Sequence, residues 1–424
     1  MHQDLCIFRI RQLFERPCIP DVAAEVGLQL EKAGLADRIR PGQTVAMTAG
    51  SRGIAQGDVI LKAAVAFLRQ LGAEPFLVPA MGSHGGGTAD GQRQLLATHG
   101  ITADACGCPV RASMDTVVLC QAPDGFPIHL DREAAEADHV LVCNRVRPHT
   151  GLRGRFQSGL LKMLLIGLGK QAGATVLHRA ISDLGFDRIV RSVAAEVLVR
   201  ARVVCGLAIV ENAYDETALI QAVPPAEFLA REPELLQTAK RWLPRLPFPT
   251  ADLLLVDQIG KEISGTGLDT NVVGRKYHDH AAAKHEYPKI KRIAVRGLSP
   301  ATRGNATGIG IAEFCLSRVV PQIDVAATAI NCLTSGHVSA GMIPLHYATD
   351  RQLLAAALQT IGLVEPPDAR LLWIRNTRQL VELECSTAFL DEVRAREDLE
   401  IVIPPRPLPL DEQGCLPDFS ALNP

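Results

Sequence analysis

Residues 44–81 decide the fold class and read TVAMTAGSRGIAQGDVILKAAVAFLRQLGAEPFLVPAM. The apolar run at 44–50 predicts a buried strand, and the segment at 58–71, closed by Gly72, predicts a helix. A second apolar run at 75–81 predicts the next strand. Strand, loop and helix in alternation are typical of an α/β fold.

The same alternation continues along the chain, in two sets. Predicted strands of the first set lie at 115–120, 138–146 and 203–212, and its helices begin near Thr88 and lie near 158–168, 171–181, 182–201 and 226–242. Predicted strands of the second set lie at 251–260, 291–298, 369–377 and 381–387, with helices near 308–319 and 350–361.

The stretch LPRLPFPT at 243–250 separates the two sets, because its three prolines cannot continue the preceding helix. A chain of 424 residues is also too long for one ordinary core. We therefore expect two α/β domains, 1–245 and 246–399, with the active site in the cleft between them. The proline-rich tail at about 400–424 is expected to be irregular and to pack back on the first domain.

Composition restricts the possible partners and the location of the protein. The chain is 47% apolar and 21% charged, with a net charge of -2, which argues against a nucleic acid or an anionic membrane as partner. The N-terminus lacks the apolar core of a signal peptide, and no apolar run reaches the roughly 18 residues that span a bilayer. Eleven cysteines without a C-x-x-C pair favour neither a disulfide framework nor a zinc site. We therefore expect a cytoplasmic protein.

The apolar helix GLLKMLLIGL, residues 159–168, contains one lysine, Lys162, and is flanked by His149 and His178. One interpretation is that the amine extends to water along its aliphatic stem. The other is that desolvation lowers its pKa and leaves a neutral amine for covalent chemistry. The helix alone does not decide between the two.

The loop GSHGGGT, residues 82–88, follows a predicted strand and begins a helix. Glycines allow close approach of the backbone to a ligand, and a helix N-terminus favours an anion such as a phosphate. We therefore predict that Gly85, Gly86 and Thr88 bind a cofactor and that His84 is a general base. A glycine-rich turn with a histidine facing solvent is the alternative.

Other strand ends carry polar side chains as well. Arg52 follows the strand at 44–50, and its guanidinium suits a carboxylate or a phosphate, although a surface arginine is the alternative. Gln258 and Lys261 follow the strand that begins the second domain and precede a long polar loop at 263–275, a kind of loop that is often functional. Three further histidines, His278, His280 and His285, lie in a polar segment that indicates a solvated loop more than a metal site.

These residues resemble the motifs of the nickel-dependent lactate racemase family, over most of the chain and both domains. The most specific element is a lysine followed by a histidine sixteen residues later, here Lys162 and His178, with His149 upstream. The resemblance implies that Lys162 bonds covalently to the cofactor and that His178 ligates nickel. The cofactor so implied is the nickel-pincer nucleotide, the pyridinium-3,5-bisthiocarboxylic acid mononucleotide that carries nickel, which requires dedicated maturation enzymes as partners.

The resemblance also implies the remaining roles. His84, in G-S-H, and His149, in P-H-T-G, match the catalytic pair of histidines. Arg52 matches an arginine on the substrate side, and Gln258 and Lys261 match a glutamine and a lysine that line the pocket. Two departures are that the interval from His149 to Lys162 is a few residues longer here, and that Asp257 replaces an aromatic residue.

The predicted reaction is racemisation or C2-epimerisation of a small 2-hydroxy acid. One histidine removes the hydroxyl proton while the C2 hydride moves to the cofactor, and the 2-keto acid is then reduced on its other face. Asp257, the few aromatic residues and the polar loop predict a substrate more polar than lactate, such as an aldonate or a hydroxy-dicarboxylate.

Two other functions remain open at this stage. A hydrolase would hold zinc with His84, His149 and His178 and a water as fourth ligand, but it leaves Lys162 without a role. A carrier or sensor would bind a nucleotide without turnover.

Overall fold

The computed structural model describes residues 5–422, which divide into two units. The N-terminal unit comprises residues 15–243, and the C-terminal unit comprises residues 5–14 and 244–422. The break between them therefore lies within two residues of the predicted boundary. The start of the chain differs from the prediction, because residues 5–14 belong to the C-terminal unit.

The described residues form fifteen strands and thirteen α-helices, numbered here in chain order. Strands β1 to β15 are Cys6–Gln12, Thr44–Ala49, Glu74–Pro79, Thr116–Gln121, Pro127–Asp131, His139–Arg145, Val203–Glu211, Thr217–Val223, Thr250–Val256, Lys289–Val295, Phe314–Leu316, Leu345–Tyr347, Leu371–Ile374, Glu382–Ser386 and Leu399–Pro407. Helices α1 to α13 are Val22–Lys32, Gly57–Gln70, Ala89–Ala97, Ala103–Cys106, Arg132–Glu136, Leu160–Lys162, Lys170–Leu184, Phe186–Arg200, Phe228–Trp242, Thr270–Val273, Val325–Ser335, Asp350–Leu358 and Leu390–Arg394. A π-helix, Met163–Gly167, continues α6 directly.

The N-terminal unit is built on a five-stranded sheet of order β3-β2-β6-β7-β8. The first four strands are parallel, and β8 is antiparallel to β7. Alternate residues of β2 enter two separate apolar clusters: Val45 and Met47 pack with α1 and α2, and Ala46 packs in the cluster that includes α8 and α9. Helices therefore cover both faces of the sheet, as parallel sheets require.

The C-terminal unit contains an eight-stranded sheet of order β12-β11-β10-β9-β13-β14-β1-β15. Strands β9 to β13 pair in parallel, whereas β14, β1 and β15 pair antiparallel. Both units thus combine parallel strands with helices, and the predicted α/β fold class is confirmed.

Two predictions for the C-terminal unit are wrong. The tail is not irregular throughout, because it begins with β15, which pairs with β1, and the contact clustering that separates the units assigns it to the C-terminal unit. The helix predicted at 308–319 is absent; Phe314–Leu316 is a buried strand between two 3₁₀ turns, Ile309–Ile311 and Ser317–Gln322. Pairing with β10 and β12 prevails there over local helical propensity.

Within residues 5–422, no single helix is long and apolar enough to cross a membrane, although Leu160–Gly167 and Lys170–Leu184, bent by 111°, pass that test as a pair on length and composition.

Candidate functional site

Three loops leave the same edge of the N-terminal sheet, since β2, β3 and β6 are parallel neighbours. They carry Arg52, His84 and His149 in that order. Ligands of open parallel sheets bind outside the carboxyl ends of the strands. The sheet topology thus brings these three predicted site residues to one edge.

The helix that carries Lys162 packs directly against the first two loops. A side-chain carbon placed on Gly50 would lie 3.0 Å from Met163 Cε, so the glycine makes close approach of the two elements easy. The N–H of Gly82 donates to the carbonyl oxygen of Gly167 at 3.0 Å. Lys162 stands at the junction where α6 widens into the π-helix, and such π-turns are frequent at functional sites.

Lys162 is desolvated and close to two other predicted site residues. Burial, together with a smaller effect of the positive charge of Arg52, lowers the pKa of its amine to about 8. Burial also lowers the pKa of His178, with a smaller contribution from the charge of Lys162. Because these charges interact, the structure brings Arg52, Lys162 and His178 together. A neutral amine and a neutral imidazole are the forms that covalent attachment and metal binding require.

A buried carboxylate, Glu232, caps the Lys162 helix from α9. Its Oε2 accepts the N–H of Leu161 at 2.8 Å, while Gly159 at the helix start provides no side chain for a cap. A side-chain carbon on Gly159 would lie 2.6 Å from Glu232 Cδ, so glycine makes room for the carboxylate. Burial raises the pKa of Glu232 to about 7.

His84 is exposed and is held by the neighbouring loop. Its Nδ1 forms a 2.5 Å hydrogen bond with Ser51 Oγ, and the ring of His99 binds the carbonyl oxygen of Ser51 through Nε2 at 3.2 Å. A cavity at this strand end is lined by Gly50, Arg52, His99 and other residues, but not by Lys162. His99 thus holds the backbone of the serine whose hydroxyl contacts His84.

The glycine-rich loop itself is a tight turn built on left-handed glycines. A side-chain carbon on Gly85 would meet the backbone of Gln92 at 2.6 Å, whereas one on Gly86 would meet no atom within 4 Å. Thr88 caps α3, because its hydroxyl accepts the N–H of Gly91 at 3.1 Å. The open side of Gly86 leaves room for a ligand, and the Thr88 hydroxyl already has an intramolecular partner.

Beneath this loop lies a buried polar network that the sequence did not reveal. Lys170 is fully buried, with its Nζ 2.5 Å from the carbonyl oxygen of Pro79 and 3.0 Å from the carboxylate of Asp131. It also donates to Gln92 Oε1 at 3.3 Å. The Nε2 of Gln92 in turn donates to the carbonyl oxygens of Gly82, at 2.8 Å, and His84, at 3.3 Å. The network thereby fixes the backbone at His84.

His149 lies in the loop between β6 and α6, which an antiparallel bridge between Arg147 and Ser158 closes at its base. Its backbone N–H donates to Gln157 Oε1 at 2.9 Å. Its ring Nδ1 accepts the N–H groups of Gly151, at 3.0 Å, and Leu152, at 2.9 Å. The ring is therefore locked in one orientation by the backbone of its own loop.

Gln258 and Lys261 follow β9 in the C-terminal unit, as predicted, and both are half-buried. The amine of Lys261 donates to the carbonyl oxygen of Gly265 at 2.6 Å, within the polar loop. That loop is less open than its composition suggests, because Leu268 and Val273 are buried in it. The substrate roles of Gln258 and Lys261 stay predictions.

Asp257 does not support the expectation of a polar substrate. Its carboxylate is buried, and Oδ1 accepts hydrogen bonds from Arg296 at 2.5 Å and from Trp373 Nε1 at 2.6 Å. Oδ2 accepts the N–H of Phe419 at 2.6 Å. The carboxylate is therefore part of the buried polar contacts of the C-terminal unit and gives no evidence about the polarity of the substrate.

The other histidines give no metal site. His278, His280 and His285 are exposed, in agreement with the solvated-loop interpretation. Among residues 5–422, no group of three or more His, Cys, Asp or Glu side chains is arranged to hold a metal ion.

The donor set around Lys162 nevertheless fits the implied cofactor. A desolvated amine with a pKa near 8 suits an acyl bond, and one half-buried imidazole suits a metal whose other ligands come from the cofactor. Sequence analysis missed the residues that support this set, namely Ser51, His99, Gln92, Lys170, Asp131 and Glu232. Of these, Lys170 carried a signal, since a lysine follows the apolar helix by only two residues.

Among the comparisons with known proteins, only the one with solved structures finds matches. No protein-family model matches the chain, and no curated protein matches it. Among solved structures, the lactate racemase apoprotein from Thermoanaerobacterium thermosaccharolyticum is 12% identical with a TM-score of 0.49, covering 88% of this chain and 91% of that one. A Thermotoga maritima protein is 13% identical with a TM-score of 0.50, covering 87% and 99%. At 13% identity, the likeness to the Thermotoga maritima protein shows a shared fold alone.

Proposed function

We propose that this protein is an isomerase, a racemase or C2-epimerase of a small 2-hydroxy acid that uses the nickel-pincer nucleotide. The observation that carries the proposal is the pair formed by Lys162 and His178. Each has a lowered pKa, caused first by burial, and the charge of the lysine acts on the histidine. A lysine that served only as a surface charge would gain nothing from a half-buried, desolvated position.

Lys162 would hold the cofactor through an acyl bond, and His178 would ligate its nickel. Gly85, Gly86 and Thr88 are proposed to lie along the nucleotide, with the open side of Gly86 as the closest approach. When bound, the cofactor accepts a hydride from C2 of the substrate and returns it.

The chain's own residues would orient the substrate and move its proton. Arg52 would bind the carboxylate, because a guanidinium matches its two oxygens. His84 would take the hydroxyl proton on Nε2, while Ser51 holds its Nδ1. His149 would contact the same oxygen, and Gln258 and Lys261 are proposed to bind the remainder of the substrate.

The substrate class is proposed as 2-hydroxy acids in general. A substrate more polar than lactate, such as an aldonate or a hydroxy-dicarboxylate, stays a prediction, and it now rests on the polar loop at 263–275 without Asp257. The cytoplasmic location and the maturation enzymes likewise stay predictions.

The experiment is to produce the chain together with the maturation enzymes and measure its intact mass. A covalent adduct is expected in the wild type and absent in Lys162→Ala. The matched control is Lys240→Ala, because Lys240 also has a pKa lowered by burial but is not a predicted site residue. An adduct that survives in Lys162→Ala would contradict the proposal.

A second measurement tests the reaction. With a panel of 2-hydroxy acids in deuterated water, returned hydride predicts a product with little deuterium at C2. Extensive deuterium at C2 would instead indicate abstraction of a C2 proton. A nucleotide carrier predicts no turnover at all.

A further inference from the structure

The two predicted catalytic histidines have different partners at Nδ1. At His149, Nδ1 accepts two backbone N–H groups, from Gly151 and Leu152. At His84, Nδ1 faces the hydroxyl of Ser51. This difference determines what each ring can do with a proton.

A backbone N–H can only donate, so the Nδ1 of His149 must carry a lone pair and no proton. The proton of the neutral ring therefore lies on Nε2. If the ring took a second proton, that proton would lie on Nδ1 and point at the two backbone N–H groups. The hydrogen bonds from Gly151 and Leu152 would then both be lost. Gln157 Oε1 also accepts the backbone N–H of His149, which holds this residue within its loop.

A hydroxyl, in contrast, both donates and accepts. Ser51 can accept from Nδ1–H of His84 when Nε2 is a base, and it can also accept when the ring is doubly protonated. His84 can therefore gain and lose a proton at Nε2 and keep its partner throughout. The contact of His99 with the carbonyl oxygen of Ser51 holds the backbone from which this hydroxyl projects.

We propose that His149 is a fixed hydrogen-bond donor through Nε2–H, and that proton exchange with the substrate belongs to His84 alone. The inference rests on the proposed function for its substrate. The hydroxyl proton moves from the substrate oxygen to Nε2 of His84, which becomes an imidazolium, and it returns from there to the same oxygen. His149 keeps its proton and polarises that oxygen, as a neutral imidazole can do in a preorganised site.

The tautomer can be measured without activity. The full-length chain without cofactor, labelled with ¹⁵N-histidine, would be examined at neutral pH by long-range ¹H–¹⁵N correlation, with His149→Gln and His84→Gln to assign the signals. We expect His149 as a single Nε2–H tautomer with an unprotonated Nδ1. A signal from Nδ1–H or from a doubly protonated ring at His149 would overturn the inference.

Turnover of the cofactor-loaded enzyme gives an independent test. Glutamine offers an amide N–H but cannot exchange a proton, so His149→Gln should lose at most about tenfold in kcat, and His149→Ala about 100-fold or more. His84→Gln should lose about 100-fold to 10,000-fold, because no base remains. Equal losses in the two glutamine variants, with unchanged circular dichroism, would contradict the division of roles. If the wild type turns over no 2-hydroxy acid, the proposed function fails, and the tautomer measurement still decides the state of His149.

Discussion

Glu232 accepts a hydrogen bond from the backbone N–H of Leu161, the residue immediately before Lys162, at 2.8 Å. The first turn of the helix that carries the candidate cofactor anchor is therefore completed by a buried acid on another helix. Burial raises the pKa of this acid to about 7, close to physiological pH.

Glu232 should make stability depend on pH. Its pKa in the folded protein lies above the ordinary 4.5, so ionisation costs more in the folded than in the unfolded state. The stabilisation that protonated Glu232 gives the folded state is complete below about pH 4.5 and is lost as pH rises through about 7. Between pH 5 and pH 8 the free energy of unfolding of the wild type should fall by up to about 3 kcal/mol more than that of Glu232→Gln. Urea titrations at both pH values measure this, and the same fall in both proteins would disprove it.

The ion pair of Lys170 and Asp131 should be strongly coupled. Lys170→Met leaves a buried carboxylate without a cation and should cost about 3–5 kcal/mol. Asp131→Asn keeps an oxygen for the N–H of Ala134, which the aspartate caps at 2.9 Å. The double variant should therefore be more stable than the sum of the single effects predicts, by at least about 1 kcal/mol. Additive effects in the unfolding titration would show that the pair is not coupled.

Lys162 should react as an unusually acidic amine. With a pKa of about 8, Lys162 is neutral in half of the molecules at about pH 8, whereas an ordinary lysine is neutral in well under 1% of them at the same pH. Labelling of the cofactor-free chain with an amine-directed reagent, followed by peptide mapping, should show a midpoint near pH 8 for Lys162.

Arg52→Gln provides the control for this labelling, because it removes the neighbouring positive charge. The labelling midpoint of Lys162 should move to higher pH, and the midpoint of the exposed lysine Lys284 should not move. No movement at Lys162 would mean that Arg52 does not act on the amine.

Asp257→Asn should affect stability and leave substrate preference unchanged. The buried carboxylate compensates Arg296 and binds Trp373 Nε1. Loss of its charge should cost roughly 3 kcal/mol, the lower end for a broken buried pair, since Arg296 keeps its ion pair with Asp350. Urea unfolding gives the cost, and a panel of hydroxy acids gives the preference. A changed substrate preference at unchanged stability would contradict this and indicate that Asp257 contacts the substrate.

Most strands and helices of the parallel sheets could be predicted, because buried parallel strands are short apolar runs such as 44–49 and 250–256. The antiparallel strands at the start and end of the chain could not, because β1 and β15 meet only through long-range pairing. The prediction of a helix over Phe314–Leu316 was wrong because a strand of three residues carries too little local signal to outweigh a helical pattern.

The sequence by itself determined the α/β class, the break near residue 244 and the candidate set of Arg52, His84, His149, Lys162 and His178, since apolar periodicity and residue spacing are local properties. Only the tertiary structure decided the electrostatic state of that set. Desolvation and neighbouring charge depend on which side chains surround Lys162 and His178 in space. The partners of the ring nitrogens, a hydroxyl at His84 and two backbone N–H groups at His149, likewise exist only after the loops have folded.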